Sequence, residues 1–172
     1  MVHSLLLSAV LLVAPAQPGA APARATRAFA IETGRPFNAA LPRDFYLEGN
    51  AIPTEKRNAT LVATPSGKQL LFAILDTSGY SSQVQQKYMG MMIAEASVRL
   101  GAARVPVGSY GFGLKTLSGE TYLAIYNQAG VRIASCRMKK DLELKAPRPL
   151  QVILASGGGA RLYIGREWVQ IK

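Results

Sequence analysis

From Ala59 onward, apolar runs of four to nine residues alternate with turn signals. Ala59–Thr64 (ATLVAT) and Gln69–Leu75 (QLLFAIL) flank Pro65-Ser66-Gly67-Lys68. Two such runs around a Pro/Gly turn predict a β-hairpin. Both runs are apolar on both faces, which places the hairpin centrally. Val107–Lys115 and Thr121–Tyr126 follow around a turn containing Ser118-Gly119, and Val131–Met138 comes after Asn127-Gln128-Ala129-Gly130. Pro149–Ala155, Ala160–Ile164 and Trp168–Ile171 complete the series, divided by Ser156-Gly157-Gly158-Gly159 and Gly165-Arg166. Short strands spaced by about 8–12 residues indicate an antiparallel sandwich or barrel. The βα alternation of a parallel sheet is absent.

The polar stretch Asp76–Gln86 interrupts this series. Ser82 followed by Gln85 fits a capping box, predicting a short helix from Gln83 to about Met89 that Gly90 can end. Met92 to Leu100 alternates as one half-buried strand. A competing pattern, with Val84, Tyr88, Met91 and Met92 on one helical face, would extend the helix through Glu95. Residues 26–58 read as an extended lead-in with one short strand at Asp44–Leu47. The expected fold is mainly β: a single antiparallel β-sandwich, or an open barrel, spanning 59–172 with one short helix.

Arg104-Val105-Pro106-Val107-Gly108-Ser109-Tyr110 resembles the V-P-x-G-x-Y turn-and-strand of several uncharacterised secreted bacterial β-sandwich families. With the second strand that follows, of the type seen at Tyr122–Tyr126, the resemblance covers about a fifth of the chain beyond residue 25. It implies a proline-glycine corner feeding a strand, and it implies no catalytic residue.

Leu5–Ala14 (LLLSAVLLVA) is too short to span a bilayer, which takes about 20 apolar residues. Small-x-small sites at Ala21–Ala23 and Ala23–Ala25 follow it, the pattern of a secretory signal peptide over 1–25. Cleavage after Ala25, preferred to Ala23, removes His3, the one histidine, together with Arg24. The exported product then has 147 residues, a net charge of +9 and no imidazole. It is expected to be periplasmic or secreted, with no transmembrane anchor after cleavage. Cys136, the one cysteine, has no internal disulfide partner, and in VRIASCRM it reads as a small core residue.

The missing imidazole removes Ser-His-Asp and Cys-His catalysis and histidine-bearing metal sites. No P-loop, G-x-S-x-G, S-x-x-K or G-x-G-x-x-G motif is present. Gly111-Phe112-Gly113 lies inside a strand, where glycine marks a bulge or a close approach. Carboxylate chemistry survives as an enzyme class. Asp141 and Glu143, its nearest pair, are surrounded by Lys139, Lys140 and Lys145, which hold both ionised. Asp76-Thr77-Ser78-Gly79 resembles an aspartic-protease signature, but no second such motif occurs, and the segment reads as an ordinary turn. No cofactor and no metal site is expected.

Charge and surface remain. Arg137, Lys139, Lys140, Lys145 and Arg148 fall within twelve residues. Arg137, Lys139 and Lys145 share a strand parity that would make a basic stripe, and such a field concentrates anionic partners. The seven tyrosines, five phenylalanines and Trp168 could supply a sugar-stacking platform, with Tyr110 and Phe112, on a strand next to Tyr122 and Tyr126, as its candidates, though cross-strand aromatics are more often sheet contacts. Asn58-Ala59-Thr60 is a glycosylation sequon if the source glycosylates. Nucleic acid is not an expected partner. The leading expectation is a non-catalytic exported β-sandwich that binds or scaffolds at the cell envelope, its basic face towards an anionic glycan, lipid headgroup or acidic protein. A carrier of a small apolar ligand in a β-barrel cavity is the alternative, and a carboxylate-dependent hydrolase comes last.

Overall fold

The computed structural model describes residues 28–172, so the signal-peptide expectation for 1–25 lies outside the described residues. The strands are β1 (Ala30–Glu32), β2 (Asp44–Leu47), β3 (Asn50–Ala63), β4 (Gln69–Leu75), β5 (Gly90–Ala94), β6 (Val98–Leu100) and β7 (Ala103–Val105). They continue with β8 (Gly108–Leu117), β9 (Glu120–Tyr126), β10 (Arg132–Arg137), β11 (Lys139–Lys140), β12 (Arg148–Leu154), β13 (Ala160–Gly165) and β14 (Glu167–Ile171). Two helices, α1 (Arg35–Ala40) and α2 (Ser82–Lys87), interrupt them. An eight-stranded sheet has the order β1-β3-β4-β5-β8-β9-β10, with β2 paired to β3. A six-stranded sheet has the order β12-β13-β14-β6-β7, with β11 paired to β14. Every pairing is antiparallel. The sheets stay open and face each other, so the sandwich expectation holds and the barrel cavity is not formed.

The side chains of β4 explain its unbroken apolar run. Leu70, Phe72 and Ile74 point into the core between the sheets, and Leu71, Ala73 and Leu75 point into a second core on the other face. That outer core is closed by Phe45, Leu47 and Ile52 of the β2–β3 hairpin, by Val84 and Tyr88 around α2, and by Phe37 and Ala40 of α1. A strand buried on both faces loses its alternation. The hairpin reaches over the sheet because β3 is interrupted: Glu55 pairs with Ile74 and Ala59 with Ala73, leaving Lys56–Asn58 as a bulge.

Several expectations are corrected. The lead-in over 26–58 holds β1, α1, β2 and the first half of β3 instead of one short strand. Pro36 at the start of α1 supplies the fixed φ that a first helical turn accepts. Ser81, not Ser82, caps α2, its hydroxyl accepting from the Val84 N–H at 3.4 Å, and Gly90 opens β5 instead of ending the helix. The alternating run 92–100 is two strands in two sheets, because the chain crosses between them over Glu95–Ser97.

The V-P-x-G-x-Y segment is that kind of crossing too. The Tyr110 hydroxyl donates back to the carbonyls of Pro106 (3.1 Å) and Val107 (3.3 Å), tying the corner between β7 and β8. Gly108 sits at φ +154°, and a side chain there would come within 2.7 Å of the Tyr110 hydroxyl. The two residues need each other. At Gly111 and Gly113 the close approach is α2: a Cβ on Gly113 would collide with the Lys87 carbonyl, and one on Gly111 with Leu47 and Tyr88.

Candidate functional site

The six-stranded sheet turns its inner face to the large sheet and leaves its outer face only partly covered, so its strands alternate. Along β13, Ala160, Leu162 and Ile164 join the inter-sheet core; along β14, Val169 and Ile171 do. Opposite parity turns Arg161 and Tyr163, then Trp168 and Gln170, onto the outer face. Lys139 of β11 stands directly across from Trp168. The Arg161 guanidinium lies 4.3 Å from the centre of the Trp168 ring, the Lys139 ammonium lies 5.3 Å from it, and Tyr163 stacks at 6.2 Å. Both cations are within the range at which an aromatic face attracts positive charge. The Nε–H of Arg161 is buried without an acceptor, its guanidinium spent on the tryptophan face.

One groove of about 270 Å³ is lined by Gly101, Arg137, Lys139, Trp168, Gln170 and Lys172 among others. A second, of about 440 Å³, is lined by Phe29, the turn Ala155–Gly159, Arg161, Gln170, Ile171 and Lys172. The two share Gln170 and Lys172. Behind Trp168, Tyr163 is sealed by the 141–147 loop, its hydroxyl donating to Asp141 Oδ2 at 2.9 Å. The other Asp141 oxygen accepts the N–H groups of Glu143 and Leu144 at 3.0 and 3.1 Å. Arg166 Nη1 donates to the carbonyls of Leu142 (3.1 Å) and Leu144 (2.8 Å), fixing the loop from beneath.

The predicted site residues meet different fates. Tyr110 and Phe112 point into the inter-sheet core, whereas Tyr126 belongs to the outer core, so these rings do not share a face and make no platform. Arg137 ends β10 in the large sheet, and its guanidinium is held by Glu120 through Nε (2.7 Å) and Nη2 (2.5 Å). Lys139 is in the other sheet, and Lys145 is in a loop, so the expected single stripe is not formed. The reason is Met138, whose side chain is buried between the sheets while the chain changes sheet around it. Lys140 faces Glu167 in the β11–β14 register, and Lys145 and Arg148 are exposed. Asp141 and Glu143 lie in one turn, Asp141 Oδ1 accepting the Glu143 N–H, and do not face each other across a cleft. Asp76 accepts the Ser78 N–H and hydroxyl, which hold its carboxyl below the usual range, as a turn residue does. Arg161, Gln170 and Lys172 are not among the residues the sequence singles out, and Trp168 enters only as one of its aromatics, although the parity of RLYIG and WVQIK carries the signal.

A second polar cluster lies on the large sheet. Glu48 Oε1 accepts from the Lys87 ammonium and the Tyr88 hydroxyl. Lys87 first, then Tyr88, hold the Glu48 carboxyl below its ordinary value. Burial first, then Glu48, push Tyr88 above its own. Lys87 also stands 5.2 Å over the rings of Tyr88 and Tyr126, which meet edge to face. The Glu48 N–H reaches the Gln128 carbonyl at 2.8 Å. These contacts fasten the hairpin, α2 and the 127–131 turn to one another.

Among the described residues no group of three His, Cys, Asp or Glu side chains is placed to hold a metal, and no helix is long and apolar enough to cross a membrane. No protein-family model matches the chain, and no curated protein or solved structure matches it either.

Proposed function

We propose that this is an exported, non-catalytic β-sandwich that binds or scaffolds at the cell envelope, with the outer face of the six-stranded sheet towards an anionic partner. One observation carries the reading: positive charge is concentrated on that sheet. Residues 98–105 and 139–172, which form it and its connections, hold nine Lys/Arg against three Asp/Glu. The remaining described residues hold nine against seven. Of the three acids, Asp141 is engaged within its own loop and Glu167 faces Lys140. Such a field raises the local concentration of anions and speeds their encounter.

The test is binding to an immobilised anionic envelope polymer across a salt series. Screening lengths shrink from about 30 Å at 0.01 M to about 8 Å at 0.15 M, so binding should be clear at low salt and fade. Lys139→Glu with Lys172→Glu should weaken it more than Lys56→Glu with Arg57→Glu, which makes the same charge change on the bulge of β3. Equal losses from the two pairs, or no binding at low salt, would overturn the reading. Expression in a secreting host should yield a chain beginning at Thr26.

A further inference from the structure

We infer that the anionic partner is a linear acidic polysaccharide lying across β14, with Trp168 as the wall against which a sugar ring packs. This rests on the proposed basic face and goes further in naming what that face holds. The site is concave: two grooves share Gln170 and Lys172 and also reach Val169 and Ile171, so together they line a trough along the edge and end of β14. Crossing from β11 over β14 to β13 covers two inter-strand spacings, about 10 Å, which suits an extended chain better than a single small anion.

The chemistry along the trough alternates in the way a sugar acid does. Lys139 and Lys172 offer ammonium groups, and Gln170 offers an amide that both donates and accepts, matching hydroxyls. Trp168 is partly exposed, and the part of its ring that Arg161, Lys139 and Tyr163 leave uncovered is the apolar surface on which the C–H face of a pyranose can pack. Its ring is fixed before any ligand arrives, by Arg161 and Tyr163, so little ordering is left to the binding step. A bilayer is a poorer fit, since a flat surface meets projections and this trough recedes. The nearby apolar point, Leu142, is a lone exposed side chain.

Trp168 is the one tryptophan of the chain, so its emission reports this trough directly. Titrating the full chain with short oligogalacturonates should give a saturable change in emission that weakens with salt, and neutral malto-oligosaccharides should give none. Lys139→Gln should weaken affinity about fivefold and Trp168→Ala, followed by calorimetry, about tenfold. Arg161→Lys keeps the charge but loses the planar stack, and should also weaken binding if the wall must be held. If polyglutamate binds as tightly as oligogalacturonate, the sugar assignment is overturned and the basic face stands. If phosphatidylglycerol vesicles bind without changing the emission, a membrane takes the place of the polysaccharide. Neutral oligosaccharides binding equally well would remove the need for acid groups. Should no polyanion bind even at low salt, the underlying reading falls with this one.

Discussion

On its inner face the large sheet meets another sheet, and on its outer face it meets a patchwork of α1, the β2–β3 hairpin and α2. The inner contact is broad and almost wholly apolar, from Val62 and Phe72 to Leu162 and Ile171. The outer contact uses fewer residues and is fastened at its rim by Glu48, Lys87 and Tyr88. Short elements cannot exclude water as a sheet does, so a polar clasp holds in place what area alone does not. A cover of this kind is expected to open below the global unfolding free energy, whereas the inter-sheet core defines it.

The sharpest way to break that comparison is a truncation in each layer. Phe72→Ala, at a fully buried inner position, should cost about 3–5 kcal/mol in denaturant unfolding. It should also expose Cys136, which lies in the same core and whose thiol burial pushes up to about 11. In the wild-type chain a thiol reagent at neutral pH should react with Cys136 only on unfolding. If Cys136 reacts freely in the native state, the inner core is not the rigid member of the pair.

Gly113→Ala should act on the cover alone. The added methyl meets the Lys87 carbonyl, so α2 must lift, at a cost of about 1–3 kcal/mol. Hydrogen exchange should quicken at residues 82–88 while the amides of β12–β14 keep their protection. Uniform acceleration in both regions would show that the layers unfold as one unit.

The smallest effect is at the clasp. Tyr88→Phe should cost about 1 kcal/mol, since Glu48 is more than a third exposed and solvent screens its bonds. Because Lys87 and Tyr88 lower the Glu48 pKa in the folded state, its stabilisation is complete above the ordinary value of 4.5 and fades as pH falls through the lowered one. Exchange at α2 should therefore accelerate in acid, and Glu48→Gln should flatten that pH dependence. A Glu48→Gln variant with the wild-type acid profile would remove the clasp from the account.

The sequence was most informative where local chemistry fixes local shape. The turn at Pro65-Ser66-Gly67-Lys68 and the strands β8, β9, β10, β12, β13 and β14 lie within a residue or two of where their turn signals put them, whereas β3 begins nine residues before its apolar run and β11 has no signal of its own. It was least informative at α1, where Arg35–Ala40 has no side-chain cap and no buried residue, so no periodic pattern marks it. The candidate site was half legible. Charge density along the chain marks Lys139, whereas Arg161 and the place of Trp168 are marked only by the alternation of their strands. Tyr110 has a structural place instead of a ligand contact: its hydroxyl ties a corner and its ring fills the core.

What the sequence determined by itself is the class of fold, because turn residues and short apolar runs act over a few neighbours and need no partner to be read. It also determined the excess of positive charge. Which residues share a face was decided only by tertiary structure, since Met138 and Glu95–Ser97 each send adjacent residues into different sheets. Parity along a chain is a local property, whereas a face is built from strands far apart in sequence. The basic aromatic trough exists because β11, β13 and β14 pair.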